Sequence, residues 1–311
     1  MRQFGEEHNP ETGKRRNVQV NEDRSPDQRT AECRLMGDMA LIRCRQQKGC
    51  DMHHATFEPC DVQRLQHAVD YALHASRKSL DYLLPPWIPG DLKREIGSGC
   101  VVSHCATLLF PETVESALDY FEENGWVAST TIPSVLVKRR LVERHWLPED
   151  ADIRVTRLRV TAGPAPDVEV FLFPRSSPAY KEEVGAKERV HGFENHVGLF
   201  MEPAEESTLT RLADRLETSG RMVYEGSAHN PHENTTMLYF APSAPVARVR
   251  RRFPRWELQC AGDLTAAAGR RPIRTQALCR AYAALKANHV PVDVIMTRAA
   301  RRPVPVAAPK V

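Results

Sequence analysis

The sequence predicts an α+β fold in which a βαβββ unit occurs twice, after a small helical region. Two observations predict it. "VVSHCATLLF" (101–110) and "FENHVGLFM" (193–201) are short apolar, strand-like runs with a histidine inside each, and each run precedes a helix-period segment ended by a glycine. After each helix come three further β-type segments, and the last of each set carries a glutamate between apolar neighbours.

The bulk properties frame this reading. The chain has 311 residues, is 41% hydrophobic and 27% charged, and carries a formal net charge of +3, the profile of a soluble globular protein. Apolar runs such as "ATLLF" and "VEVFLF" are far shorter than the roughly 20 residues that span a bilayer. The start "MRQFGEEHNPETGKRRN" lacks a hydrophobic signal core. A cytoplasmic protein that binds neither membrane nor nucleic acid is expected. The basic run "RVRRRFPR" (248–255) has no interleaved aromatic platform and reads as a solvated turn. The eight cysteines form no Cys-x-x-Cys pair. Cys33, Cys44, Cys50 and Cys60 crowd together with His53 and His54, but their spacing matches no standard zinc frame, so they read as reduced thiols.

Along the chain, 1–28 and 298–311 are too polar or too rich in Pro, Ala and Arg to bury a core and are expected to be disordered. Residues 29–90 read as a helical region. Leu35, Met36, Met39 and Ile42 have helical spacing, as do Leu65, Val69, Ala72, Leu73, Leu80 and Leu83, with Asp61 as a cap. "LLPPWIPGD" breaks that pattern and sets a boundary near residue 90.

The first unit covers 99–175. Val114, Ala117, Leu118 and Phe121 recur at i, i+3, i+4 and i+7, and Asn124-Gly125 stops that helix. Its later strands are read as "SVLVKRRL", "ADIRVTRLRV" and "DVEVFLFPR". The second unit covers 190–262. Leu209, Leu212, Ala213 and Leu216 repeat the helical offsets, Ser219-Gly220 ends the helix, and "GRMVYEG", "TTMLYFAP" and "RWELQC" are its strands. A helical extension is expected over 263–297.

The two histidines, His104 and His196, lie 92 residues apart, and each is followed some sixty residues later by a strand glutamate, Glu169 and Glu257. Strand alternation separates Glu257 and Gln259 from Trp256, Leu258 and Cys260, and puts Glu169 with Phe171 and Phe173. Carboxylates inside apolar strands are costly unless paired or bound to a cation, and imidazoles with carboxylates make a suitable site for a first-row metal. Four such residues at matching places in a repeat point to one metal site.

On these residues the chain resembles the vicinal oxygen chelate superfamily: "VSHCATLLFPETVESALDYFEENGW" and "ENHVGLFMEPAEESTLTRLADRLETSG" are similar to its opening strand and helix, and "VEVFLFP" and "WELQC" to its ligand-bearing fourth strand. The resemblance covers about residues 99–262. It implies two modules forming a cupped mixed sheet around one metal, with a bidentate small-molecule substrate. It implies two ligand sets. A dioxygenase-like triad of His104, His196 and Glu257 would hold Fe(II). A glyoxalase-like or epimerase-like set would add Glu169 and use Zn, Ni, Co or Mn.

The dioxygenase is the expected activity, because the long chain suits a larger substrate and because "EGSAHNPHENTTMLYF" supplies His229, His232 and Tyr239 as candidate catalytic groups. His191 is a weaker candidate. A metal-free binding protein is the third reading, disfavoured by retention of all four ligands. One chain holds both modules, so a monomer or a homodimer is expected.

Overall fold

The computed structural model describes residues 56–75, 84, 87–163, 165–202, 205–231, 233–243 and 253–287. All of them belong to the unit spanning Met52–Val311. The two expected tails, the helix expected over 29–48, the Cys33/Cys44/Cys50/His53/His54 group and His232 lie outside the described residues.

Helix α1 (Pro59–Ala75) buries Leu65, Ala68, Val69 and Ala72. Helix α2 (Gly90–Gly99) buries Leu92 and Ile96 one turn apart, and runs straight into strand β1 (Cys100–Leu109). The β1 ladder carries a register shift between Val102 and His104. Helix α3 (Val114–Glu123) begins with a reciprocal cap between Thr113 and Ser116, worth about 1 kcal/mol, and ends before Gly125 at φ +73°.

The next segment departs from the expectation of a strand. After two-residue strands β2 (Val127–Ala128) and β3 (Ile132–Pro133), "VLVKRRLVERH" forms helix α4 (Val135–His145). The run of valines suggested a strand, but Val137 and Leu141, four apart, are the buried positions, while Val135 is 76% exposed. The helical period therefore wins, and the short β2 and β3 take the place of one long strand.

Strands β4 (Arg154–Arg159) and β5 (Asp167–Leu172) complete the first module, and helix α5 (Glu182–His191) leads to the second. There β6 (His196–Met201), α6 (Glu206–Thr218), β7 (Met222–Asn230), β8 (Thr235–Pro242) and β9 (Arg255–Ala261) follow as expected. Helices α7 (Thr265–Ala268) and α8 (Thr275–Ala287) close the described chain.

All strands join one mixed sheet in the order β2-β4-β5-β1-β6-β9-β8-β7, with β3 also on β4. In each module the first strand runs parallel to the last, β1 with β5 and β6 with β9, and β1 meets β6 antiparallel at the centre. The second half of the order mirrors the first, as a pseudo-two-fold between β1 and β6 requires.

Strand alternation sorts the two faces. Cys105, Leu109, Val168, Val170, Val197, Leu199, Trp256 and Leu258 join α1, α2, α3 and α6 in the main core. The opposite face carries His104, Ala106, Leu108, Glu169, Phe171, His196 and Glu257, with α4 and α5 packed over Leu108, Phe171 and Phe173. This face is concave. Arg157 on β4 reaches Glu233 in the β7–β8 turn at 2.8 Å, although β4 and β8 are separated by four strands in the sheet order. No helix of the described residues is long and apolar enough to cross a membrane.

Candidate metal centre

Two rows of cross-strand partners build the site. In one, Glu169 on β5 registers with Ala106 on β1, which registers with His196 on β6. In the other, His104 on β1 registers with Gly198 on β6, which registers with Glu257 on β9, and Glu257 with Tyr239 on β8. Paired residues point to the same side of a sheet, so all four expected ligands project into the cup.

They converge. One ligand atom from each of His104, Glu169, His196 and Glu257 lies within 4.8 Å of the others. The Nε2 atoms of His104 and His196 are 3.2 Å apart. Glu257 Oε2 is 3.1 Å from His196 Nε2 and 3.9 Å from His104 Nε2, and Glu169 Oε2 is 3.7 and 3.8 Å from the same two nitrogens. Donors bonded at about 2.1 Å to a common ion sit roughly 3–4 Å from one another, so these separations fit one ion.

The surrounding hydrogen bonds assign the tautomers. His196 Nδ1 lies 2.9 Å from the Glu194 carbonyl, which can only accept, so Nδ1 donates and Nε2 is left with its lone pair. Gln259 Nε2 donates to Glu257 Oε1 at 2.7 Å, which turns the amide oxygen toward Ser103. The Ser103 hydroxyl donates to that oxygen at 2.9 Å and accepts from His104 Nδ1 at 3.0 Å. Both imidazoles thus aim a bare Nε2 at each other, beside two carboxylates. That arrangement is repulsive without a cation between the nitrogens and suits a divalent ion.

Protonation states agree. Burial lowers the His104 pKa against the opposing pull of Glu169 and Glu257, keeping the imidazole neutral and able to ligate. Burial alone would raise the Glu257 carboxyl, but the two imidazoles and the Gln259 donor beside it outweigh burial and hold it at about 2. Three of the four side chains are 1–4% exposed, whereas Glu169 is 13% exposed and its Oε1 lies 3.5 Å from Arg157 Nε.

Each module supplies a histidine from its first strand and a glutamate from its last, converging on one point. This is the two-module cup that the sequence resemblance to the vicinal oxygen chelate superfamily implies. Among solved structures, a methylmalonyl-CoA epimerase from Mycobacterium tuberculosis is similar over 55% of this chain and 93% of its own, at 15% identity and a TM-score of 0.32. One from Streptomyces coelicolor is similar over 53% and 96%, at 10% identity and a TM-score of 0.30. A glyoxalase I variant from Zea mays is similar over 51% and 46%, at 10% identity and a TM-score of 0.16. The sequence matches no protein-family model and no curated protein.

The other expected catalytic groups fare differently in this cup. Tyr239 lies on the concave face, its ring 6.4 Å from His196 and under the Arg140 guanidinium at 4.5 Å. Burial first, then Glu257, pushes its phenol well above the usual value, so it stays protonated. His229 is displaced from the cluster: it registers with Thr236, whose face is opposite that of Tyr239, and its Nε2 meets Asn234 at 3.4 Å. The register shift between Tyr224 and Gly226 sets which residues of β7 turn inward, and those are Gly226, Ala228 and Asn230. His191 packs its ring on Phe193 at 5.0 Å.

Residues not singled out as site residues complete the surroundings. Ser103 and Gln259 link two ligands. Gly198 makes room for the His104 ring. Beneath His196 the Glu194 carboxylate is buried against Arg140 at 3.2 Å, Arg144 at 2.7 Å and Arg255 at 3.4 Å. Two signals were legible: Gln259 follows Glu257 by two, and Gly198 follows His196 by two, each on the inward face, and a glycine inside a strand marks close approach.

Proposed function

We propose that this protein is a metal-dependent lyase or isomerase of the glyoxalase and epimerase type, using His104, Glu169, His196 and Glu257 as a four-residue ligand set. The observation that carries the reading is the position of Glu169 Oε2, 3.7–3.8 Å from both histidine Nε2 atoms. Four protein donors would leave a bound ion room for a substrate that chelates through two oxygens but not for that substrate and dioxygen together. The facial triad expected for Fe(II) needs Glu169 turned away, and it is turned in. The donor set suits Zn, Ni, Co or Mn.

A divalent ion held by these four residues would supply Lewis-acid polarisation of a substrate oxygen, which would acidify a neighbouring C–H. The remaining work belongs to the protein. Glu257, held at about 2 beside Gln259 and the two imidazoles, is a poor base and serves as a fixed ligand. Glu169, the most exposed of the four, faces the opening and is the carboxylate placed to take and return a proton, at Oε1, the oxygen not turned to the histidines. Tyr239, kept protonated and buried, lines the cup as a hydroxyl donor and excludes water.

The test is metal titration of wild type and Glu169→Ala, with oxygen uptake and solvent-deuterium exchange followed on a panel of 2-hydroxy and 2-oxo compounds. One equivalent of metal in wild type, affinity reduced at least about tenfold in the variant, and exchange without oxygen consumption support the proposal. Undiminished Fe(II) binding by Glu169→Ala together with oxygen uptake would establish the dioxygenase instead.

A further inference from the structure

The four ligands are nearly closed off, so the way in must pass the one that has appreciable exposure, Glu169. Beside it stands Arg157. The two residues are cross-strand partners on β4 and β5, and Arg157 Nε lies 3.5 Å from Glu169 Oε1. The other two guanidinium nitrogens grip Glu233 in a fork, at 2.8 Å to Oε1 and 3.2 Å to Oε2. Glu233 comes from the opposite module, in the turn between β7 and β8, where Asn230 also donates to it at 3.2 Å. The ion pair thus bridges the two lips of the cup.

We propose that Arg157 is the residue that recognises a carboxylate of the substrate, and that Glu233 holds its fork until substrate arrives. The proposal rests on the four-ligand reading and adds the substrate class: a compound that chelates through two oxygens and bears a further carboxylate beyond them. Three features carry it. The partners are 31% and 37% exposed, so exchanging Glu233 for a ligand carboxylate breaks no buried pair. The guanidinium fork matches a carboxylate in two parallel hydrogen bonds, and Glu233 already displays the group that fits. Glu169 keeps Nε, so the fork stays fixed next to the metal ligands when Glu233 leaves.

A purely structural bridge and a recognition residue make opposite predictions for the two halves of the pair. The experiment uses full-length protein loaded with Co(II) and titrated with acetohydroxamate and with succinomonohydroxamate, which share one bidentate chelating group and differ by a carboxylate. Binding is read from the visible Co(II) spectrum and by calorimetry. Wild type is expected to prefer the carboxylate-bearing probe by about tenfold. Arg157→Met should bring the ratio of the two affinities to about one, and Glu233→Gln, which frees the fork, should raise that ratio several-fold. A wild type without preference, a preference that survives Arg157→Met, or a preference weakened by Glu233→Gln would each overturn the assignment. Failure of the protein to bind Co(II) would overturn the four-ligand reading as well; normal Co(II) binding with no preference would overturn only the role of Arg157.

Discussion

Gly198 lies directly under the His104 imidazole: a Cβ built on it would fall well inside van der Waals contact with His104 Cε1 and Nδ1 and with Ser103 Oγ. The glycine is the register partner of both His104 and Glu257, so the ladder would otherwise place a side chain where the ring sits. Gly198→Ala must push the imidazole off its position. Metal affinity is expected to fall by about 10- to 100-fold, measured by competition with a chromophoric chelator. Unchanged affinity would show that His104 does not need that position to bind metal.

Gln259→Leu removes the donor to Glu257 Oε1 and the acceptor for Ser103 in one step. Glu257 Oε1 then lacks a donor, at a cost of about 1–3 kcal/mol, and His104 loses its fixed tautomer. Denaturation of the metal-free protein and metal titration should both register the change, whereas Gln259→Glu should harm metal binding differently by adding negative charge.

Acid stability of the metal-free protein should depend on Glu257 and Glu194. Burial would raise Glu194, but Arg144, Arg140 and Arg255 hold it far below the usual range, and Glu257 is held at about 2. Both folded values are depressed, so their stabilisation is complete above the unfolded value near 4.5 and is lost as pH falls from there toward 2. Urea midpoints in the presence of a chelator should drop across that window, and Glu257→Gln should flatten the slope.

Glu194→Gln tests the arginine cluster. Three guanidinium groups surround this fully buried carboxylate; without its charge Arg144 keeps Glu188 and Arg255 keeps Glu225, but Arg140 loses its carboxylate partner. A loss of about 3–5 kcal/mol is expected by chemical denaturation. Because the Glu194 carbonyl, not its carboxylate, receives His196 Nδ1, metal affinity in the surviving folded protein should change much less.

Much of this site is readable from the chain because the signals are local. A histidine in each first strand and a glutamate in each last strand recur in order, and period-two alternation separates Glu257 and Gln259 from Trp256 and Leu258 without reference to anything distant. Helices α3 and α6 announce themselves by their buried stripes and their glycine stops. Where two local rules compete, reading fails. The valines before Lys138 argued for a strand, and only packing of Val137 and Leu141 against the concave side made α4 a helix. That helix also delivers Arg140 and Arg144 to Glu194 of the other module.

The sequence by itself determined the two modules, the order of their ligands and the faces of the two glutamate-bearing strands, because backbone periodicity needs only neighbouring residues. Only the tertiary structure decided that Glu169 turns inward with the other three, that the β7 register carries His229 to the opposite face, and that Arg157 meets Glu233 across the opening. Those outcomes depend on strand register and sheet curvature, which are set by contacts between residues far apart in the chain and leave no period in it.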